Sequence, residues 1–401
     1  MNKNDWSGGN LGNPDGIVQV FREKGVSMGN YLGQDTFKLG FGLMRLPKNP
    51  DGSIDVPQVC QMADRFIAAG GTYFDTAYVY DDGASEAAFK AAVADRYPRD
   101  SYTVATKLNV RVAKDAEDAR QQFYTSLERT GVSYIDYYLL HAIQRGNYEM
   151  YEEYGIWDYV AELKKKGLIR HWGFSFHSDP ELLRMLLTKH PDAEFVQLQL
   201  NYADWENPGV ASRKNWEICK EFGKPVTVME PVKGGILADP IPTVKAVFDA
   251  EGSGRSYASW AVRFAASLDN ILVVLSGMSN LAQMEDNLSY MKEFKPLSDA
   301  ELDLIRQAQE ALNGDKSIPC TACHYCTEGC PMGIPIPEIF TVANRRKGSP
   351  EFRTIREYGI VTQGKGKASD CIQCGQCEAA CPQNLPIIEL LEKCRSMEEE
   401  V

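Results

Sequence analysis

Through the first three quarters of the chain, short runs of consecutive apolar residues alternate with stretches in which apolar residues recur every three or four positions. The runs Leu39 to Leu43, Tyr73 to Ala77, Tyr102 to Leu108, Ile135 to His141, His171 to Phe176, Phe195 to Tyr202, Val226 to Val232 and Ile271 to Leu275 have the length and composition of buried strands. The stretches between them read as amphipathic helices. The clearest carries Val59, Met62, Ala63, Phe66 and Ile67 on one face, is begun by Asp55 with Pro57 and is stopped by Gly70 and Gly71. Others are expected near 84–96, 116–130, 156–167, 180–189, 208–222, 256–267 and 281–291, with a further helix over 300–312. Eight strands, each followed by a helix and apolar enough to be covered on both faces, predict an α/β fold, a closed parallel (β/α)8 TIM barrel. An open doubly wound sheet is the competing arrangement. It is weakened because neither G-x-G-x-x-G nor G-x-x-x-x-G-K-[ST] occurs in the chain.

After residue 315 the pattern changes from strand and helix to cysteine. Of eleven cysteines only Cys60 and Cys219 precede residue 320. Eight of the rest form two identical spacings, Cys320-x2-Cys323-x2-Cys326-x3-Cys330-Pro331 and Cys371-x2-Cys374-x2-Cys377-x3-Cys381-Pro382. Zinc ribbons set two pairs of thiols well apart, and a disulfide scaffold belongs to a secreted chain, so neither explains four thiols in eleven residues. Three cysteines at i, i+3 and i+6 let one tight loop wrap a cube of iron and sulfide, while the fourth, followed by Pro, departs toward another cluster. The segment resembles a two-cluster bacterial-type ferredoxin module. That resemblance implies one [4Fe-4S] cluster held by Cys320, Cys323, Cys326 and Cys381, and a second held by Cys371, Cys374, Cys377 and Cys330. Between the motifs, 337–346 and 350–358 read as short helices, which predicts a small, mostly helical variant of the module. Cys394 reads as a packing residue in a last helix from Pro386, and His324 as a group beside the first cluster.

Charge and composition narrow the partners. A formal charge of −12 repels nucleic acid and anionic lipid, and no apolar run approaches the roughly 20 residues a membrane helix needs. The N-terminus has no apolar segment behind its lysine, so a cytoplasmic location is expected. The expected organisation is a partly ordered Gly- and Asn-rich extension over 1–27, the barrel over 28–315 and the cluster module over 316–401.

In such a barrel chemistry belongs at the C-terminal ends of the strands. Those ends carry Asp75 and Tyr80 after the second strand, Lys107 on the third and His141 on the fourth. A charge on an apolar strand is costly unless paired, and Asp75 and Lys107 on adjacent strands are of opposite sign. Here the sequence resembles the aldo-keto reductases, through GFGLMRLP (40–47), YFDTAYVYDDGASE (73–86), VATKL (104–108), YIDYYLLH (134–141), GFSFH (173–177), VQLQLNY (196–202) and SGMSNLAQMEDNL (276–288). The resemblance implies Tyr80 as general acid, Lys107 and Asp75 as the pair that tunes it, and His141 as the group that orients the carbonyl. Those roles are physically coherent, because a tyrosine that titrates near ~10 in water is lowered by a neighbouring ammonium. It also implies Ser175 and Gln197 on the nicotinamide of NAD(H) or NADP(H) and Asn287 near the adenine, and a phosphate can sit on the free backbone N–H groups at the helix start near Ser279 and Asn280. Phe176 replaces the usual asparagine, and Met229 and Glu230 stand where an aromatic residue commonly stacks on the nicotinamide. Ser276 to Asn287 contains no Lys or Arg, which favours NADH over NADPH.

The expected function is therefore an iron-sulfur oxidoreductase that reduces a small-molecule carbonyl, or oxidises an alcohol, and exchanges electrons with a redox partner protein through its clusters. The electron count is awkward, since a hydride carries two electrons and each cluster one. The alternative is an electron-transfer or redox-responsive module with a repurposed barrel and structural or sensory clusters. The aromatics of 145–157, with Tyr202 and Trp205, are expected either to line a substrate pocket or to cover the barrel.

Overall fold

The structure is a computed structural model that describes residues 32, 37–312, 317–346 and 351–398. The extension expected over 1–27 lies outside the described residues. Eight parallel strands, β1 (Leu39–Gly42), β2 (Tyr73–Asp75), β3 (Thr103–Leu108), β4 (Ile135–Ile143), β5 (Ile169–Phe176), β6 (Phe195–Gln199), β7 (Val226–Met229) and β8 (Ile271–Ser276), close into a barrel in sequence order. Closure is made by β1 pairing with β8, with Leu39 opposite Val274. Helices follow where apolar periodicity and caps coincide. Asp55 caps Val56–Ala68, Asp115 caps Ala116–Thr130, Asp179 caps Pro180–Lys189 and Asn280 caps Leu281–Met291, each through its side-chain oxygen.

Alternation along the strands sets what fills the barrel and what crowns it. Tyr73, Ala105, Tyr137, Leu139, Phe195, Val273 and Leu275 form one buried cluster. Two residues further along, on the same face of their strands, come Asp75, Lys107, His141 and Gln197. The same period of two thus closes the interior with apolar layers and leaves a polar layer at the C-terminal mouth. Gly173 is required in this packing: a Cβ there would lie 2.2 Å from the backbone oxygen of Phe195 on the next strand.

Several elements depart from their sequence expectations. β4 runs two residues past His141, through an irregularity at Ala142 (φ +53°) that shifts its register with β5. β6 stops at Gln199, where Asn201 turns its side-chain oxygen to the Asp204 N–H at 2.8 Å. The helix expected over 84–96 is α-helical only over Ala84–Phe89 and widens into a π-turn over Lys90–Ala94. Helices Tyr148–Glu153 and Pro242–Asp249 were not predicted, because each is under three turns and too short to show a period.

The chain divides into two compact units, the second consisting of Asn313–Val401 with Lys233–Ile236. Its described secondary structure is helical, over Tyr325–Glu328, Ile336–Arg346, Glu351–Val361, Gln376–Ala380 and Ile387–Cys394. Ile334, Ile339, Phe340, Tyr358, Leu391 and Met397 form its core together with Cys394, which is buried.

Candidate functional site

Lys107 has no exposed surface, and burying an ammonium is tolerable only with strong partners. Its Nζ donates to Asp75 Oδ1 at 2.6 Å, to the Thr76 carbonyl at 2.6 Å and to the Tyr80 hydroxyl at 3.3 Å. Burial pushes the Lys107 amine below the ordinary lysine range, and Asp75 opposes that shift. For Asp75 burial raises the carboxyl and Lys107 draws it back. His141 lies edge-on to Tyr80, with ring centroids 5.7 Å apart at 76°. Burial, then the charges of Lys107 and His177, hold its imidazole well below the usual histidine range. The structure thus brings together all four residues proposed for the chemistry.

The turn that presents Tyr80 is held by residues the sequence reading did not single out. After Tyr80 the backbone passes through three left-handed positions, Asp81, Asp82 and Gly83 (φ +49°, +53° and +88°). Arg129 clamps this turn: its guanidinium donates to the Tyr78 carbonyl at 3.1 Å, lies 4.6 Å from the Tyr78 ring and approaches Glu86 at 3.5 Å. A Cβ on Gly83 would sit 2.4 Å from that guanidinium. Buried Glu86 accepts in turn from Thr106 Oγ1 at 2.6 Å, beside Lys107. Glu86 was already inside the stretch 73–86; a carboxylate so close to the Asp75–Tyr80 segment was the available signal.

The residues proposed for the cofactor divide into two groups. Ser175 and Gln197 face one another in register across β5 and β6, both buried. Ser175 Oγ accepts from the Ala142 N–H at 2.7 Å. Gln197 Oε1 and Asn287 Oδ1 are buried acceptors with no hydrogen-bond partner among the described residues, as a site for amide-bearing groups requires. At the other end, the Ser279 N–H is donated to Gln283 Oε1 at 2.7 Å and Asn280 Oδ1 caps Gln283, so the N–H at Ser279 is not open as the sequence suggested. Glu285 is paired with Arg65 at 3.1 Å.

The positions that depart from the family pattern have structural roles. Phe176 is a buried strand residue packed on Phe174. Glu230 adopts a left-handed backbone (φ +56°) and approaches Arg45 from the loop after β1 at 3.9 Å. Of the aromatics of 145–157, Tyr151 and Trp157 are buried rather than lining an open pocket: Tyr151 donates to the His141 carbonyl at 2.5 Å, and Trp157 stacks on His190 at 3.8 Å. Tyr202 and Trp205 are wholly buried, each packed edge-on to Phe264.

In the second unit the eight motif cysteines gather around two small cavities. Cys320, Cys323, Cys326 and Cys381 line one, and Cys330, Cys371, Cys374 and Cys377 line the other. Each motif contributes three thiols to one cavity and its Pro-flanked fourth to the other. Ile336 is common to both linings, which are otherwise mainly apolar. Four thiols around an apolar cavity fit a cubic iron–sulfur cluster.

Residues 38–310 match the model of the aldo/keto reductase family, and 319–385 match that of a 4Fe-4S dicluster domain. The chain belongs to the aldo/keto reductase family, and it carries a ferredoxin-type iron–sulfur domain after the barrel. Among similar proteins, the Glycine max "Probable aldo-keto reductase 1" is 26% identical over 216 residues, 51% of this chain and 58% of that one, so the match spans less than two thirds of the relative. An aldo-keto reductase from Bacillus halodurans in its holo form superposes with a TM-score of 0.54 at 23% identity, over 68% of this chain and 91% of that chain. One from Klebsiella pneumoniae, in complex with NADP and acetate, does so with a TM-score of 0.54 at 21% identity, over 67% and 89%. At these identities the structures share the fold. Among the described residues no helix is long and apolar enough to cross a membrane.

Proposed function

We propose that the chain reduces a small-molecule carbonyl with NAD(P)H, or oxidises the corresponding alcohol, and exchanges electrons with a redox partner protein through two [4Fe-4S] clusters. The observation that carries this reading is the contact of Lys107 Nζ with both Asp75 and the Tyr80 hydroxyl, at the mouth of the barrel and edge-on to His141. Bound NAD(P)H would supply a hydride to the carbonyl carbon. Tyr80 gives its proton to the carbonyl oxygen, and the Lys107 ammonium stabilises the phenolate left behind. His141, kept neutral by burial, donates one hydrogen bond that orients the same oxygen without competing as an acid. Asp75 balances the Lys107 charge, both side chains being buried.

Ser175 and Gln197 would hold the carboxamide, and Asn287 would meet the adenine; the orphaned oxygens of Gln197 and Asn287 support this. The absence of Lys and Arg from Ser276 to Asn287 supports NADH over NADPH. The thiols of Cys320, Cys323, Cys326 and Cys381, and of Cys330, Cys371, Cys374 and Cys377, would ligate two clusters that supply one-electron chemistry. We take 28–315 as the barrel and 316–401 as the module. The Arg45–Glu230 approach, where an aromatic would stack on the nicotinamide, favours a second reading in which the barrel has been turned from carbonyl reduction to a redox-responsive role.

An anaerobic titration separates the two. With 4-nitrobenzaldehyde as a generic carbonyl, NADH oxidation and alcohol formation are followed beside cluster absorbance, on protein assayed for iron and sulfide. The proposal expects stoichiometric alcohol and about eight iron and eight sulfide per chain. Bleaching of the clusters without alcohol formation would favour the redox-responsive reading.

A further inference from the structure

The two four-cysteine sites differ in how they meet solvent. Around the first cavity Cys326 and Cys381 are buried, at 7% and 6% exposure, and no large exposed hydrophobic lines it. Around the second, Cys377 is likewise buried but Cys374 is exposed. Two further lining residues of that cavity, Ile372 and Met332, are exposed large apolar side chains, at 60% and 38%. Leaving an isoleucine and a methionine in water at the rim of one cavity forgoes the stabilisation that covering them would bring. The lining of the second cavity contains no charged side chain.

This rim has a fixed shape. Met332 follows Cys330-Pro331 and Ile372 follows Cys371, so both sit on ligand loops. The strip that passes Met332 is tied down by the Gly366 N–H on the Gly333 carbonyl at 3.2 Å. A Cβ on Gly366 would lie 2.2 Å from the Met332 carbonyl, so only glycine lets the two segments touch. The apolar pair is therefore presented by a braced backbone beside an accessible cysteine.

We propose that the face formed by Met332, Ile372 and Cys374 is the docking site for a small one-electron carrier of the ferredoxin type. The inference rests on the two-cluster reading above and adds which of the two sites meets the partner, and through which side chains. What lies beneath the face identifies the occupant: an exposed thiol ligand marks the place where an electron has the least protein to cross, and an uncharged apolar rim suits the small, short-lived contacts that electron carriers make. Cys330, Cys371, Cys374 and Cys377 would hold the cluster that supplies the one-electron chemistry, so that oxidation of the carrier by one electron would be matched by reduction of that cluster by one, with no bond or proton changing place. Ile336, common to the linings of both cavities, lies beside the entry site and the other site alike.

The test uses the full chain, anaerobically purified, and a bacterial-type two-cluster ferredoxin as probe. Binding is measured by calorimetry, and reduction by stopped-flow absorbance with either dithionite-reduced ferredoxin or the methyl viologen radical, which needs no docking face. The double variant Met332→Gln/Ile372→Gln should bind ferredoxin at least ~10-fold more weakly and accept its electrons correspondingly more slowly, with iron content and the methyl viologen rate unchanged. Unchanged ferredoxin binding in that variant overturns the proposal, as does an equal loss of rate with both reductants. Self-association of the chain that is abolished by the same substitutions would also overturn it, because the face would then belong to a second copy. Iron near four per chain would instead fail the underlying two-cluster reading, and so is told apart from failure of this face.

Discussion

Lys107 and Asp75 are each tolerable at the barrel mouth only because of the other. Both are buried, each is pushed by burial toward its neutral form, and a 2.6 Å contact opposes that push. Removing one partner leaves an uncompensated buried charge, which typically costs 3–5 kcal/mol, whereas replacing both with apolar or neutral groups of similar size is close to neutral. Lys107→Met alone should therefore lower unfolding stability by about 3–5 kcal/mol, and Lys107→Met/Asp75→Asn should recover most of it. Both variants should lack carbonyl turnover. A urea double-mutant cycle read beside activity checks this, and additive stability losses would show that the two side chains are not coupled. The pair was legible in the sequence because two opposite charges on adjacent apolar strands have few structural reasons to be there. The Arg129–Glu86 clamp on the Tyr80 turn was not, because Arg129 is one of several charges on its helix and only the fold brings it to Tyr78.

At the scale of the elements, most of the barrel could be read from the chain because strand and helix periods alternate without ambiguity. The end of β4 could not. The irregularity at Ala142 leaves no pattern in the sequence, yet it places the Ala142 N–H on Ser175 Oγ next to His141. Bulges of this kind often re-aim side chains beside reactive sites. Helix Tyr148–Glu153, just after it, puts Tyr151 inside the fold rather than on the wall of an open pocket: Tyr151 is fully buried and bonded to the end of β4. Close strand contact yields a sharper expectation. Gly173→Ala would drive a methyl to 2.2 Å from the Phe195 carbonyl, a backbone atom that cannot swing aside. The variant should lose several kcal/mol, of the order found for overpacked cores, and Ser175 and Gln197 should lose their register. Thermal melts and cofactor binding measure this; wild-type values for both would mean that β5 and β6 are further apart than described.

For the molecule as a whole, the buried histidines set an acid limit. His177, after β5, is pushed down to about 4 by burial and by the charges of Arg111 and Lys107, against an ordinary 6.5, and His141 is shifted the same way. Folding therefore favours the neutral imidazole, and the unfolded chain takes up protons first as pH falls. Stability should be fully present above pH 6.5 and fall as pH drops from 6.5 toward 4, with His177 accounting for up to about 3 kcal/mol. The urea midpoint of His177→Gln should vary less than that of the parent between pH 7 and pH 5, and equal losses in both would remove His177 from the acid response. The cysteine spacing made the iron–sulfur module readable, while the unequal exposure of its two sites became visible only once the helices between the motifs were in place. The central claim is that this barrel reduces carbonyls by proton transfer from Tyr80, and the most direct measurement is carbonyl turnover by Tyr80→Phe, made beside nicotinamide binding. Loss of one hydroxyl should cut turnover by at least ~10²-fold while leaving cofactor affinity and the melting temperature near those of the parent; turnover equal to that of the parent would contradict the account.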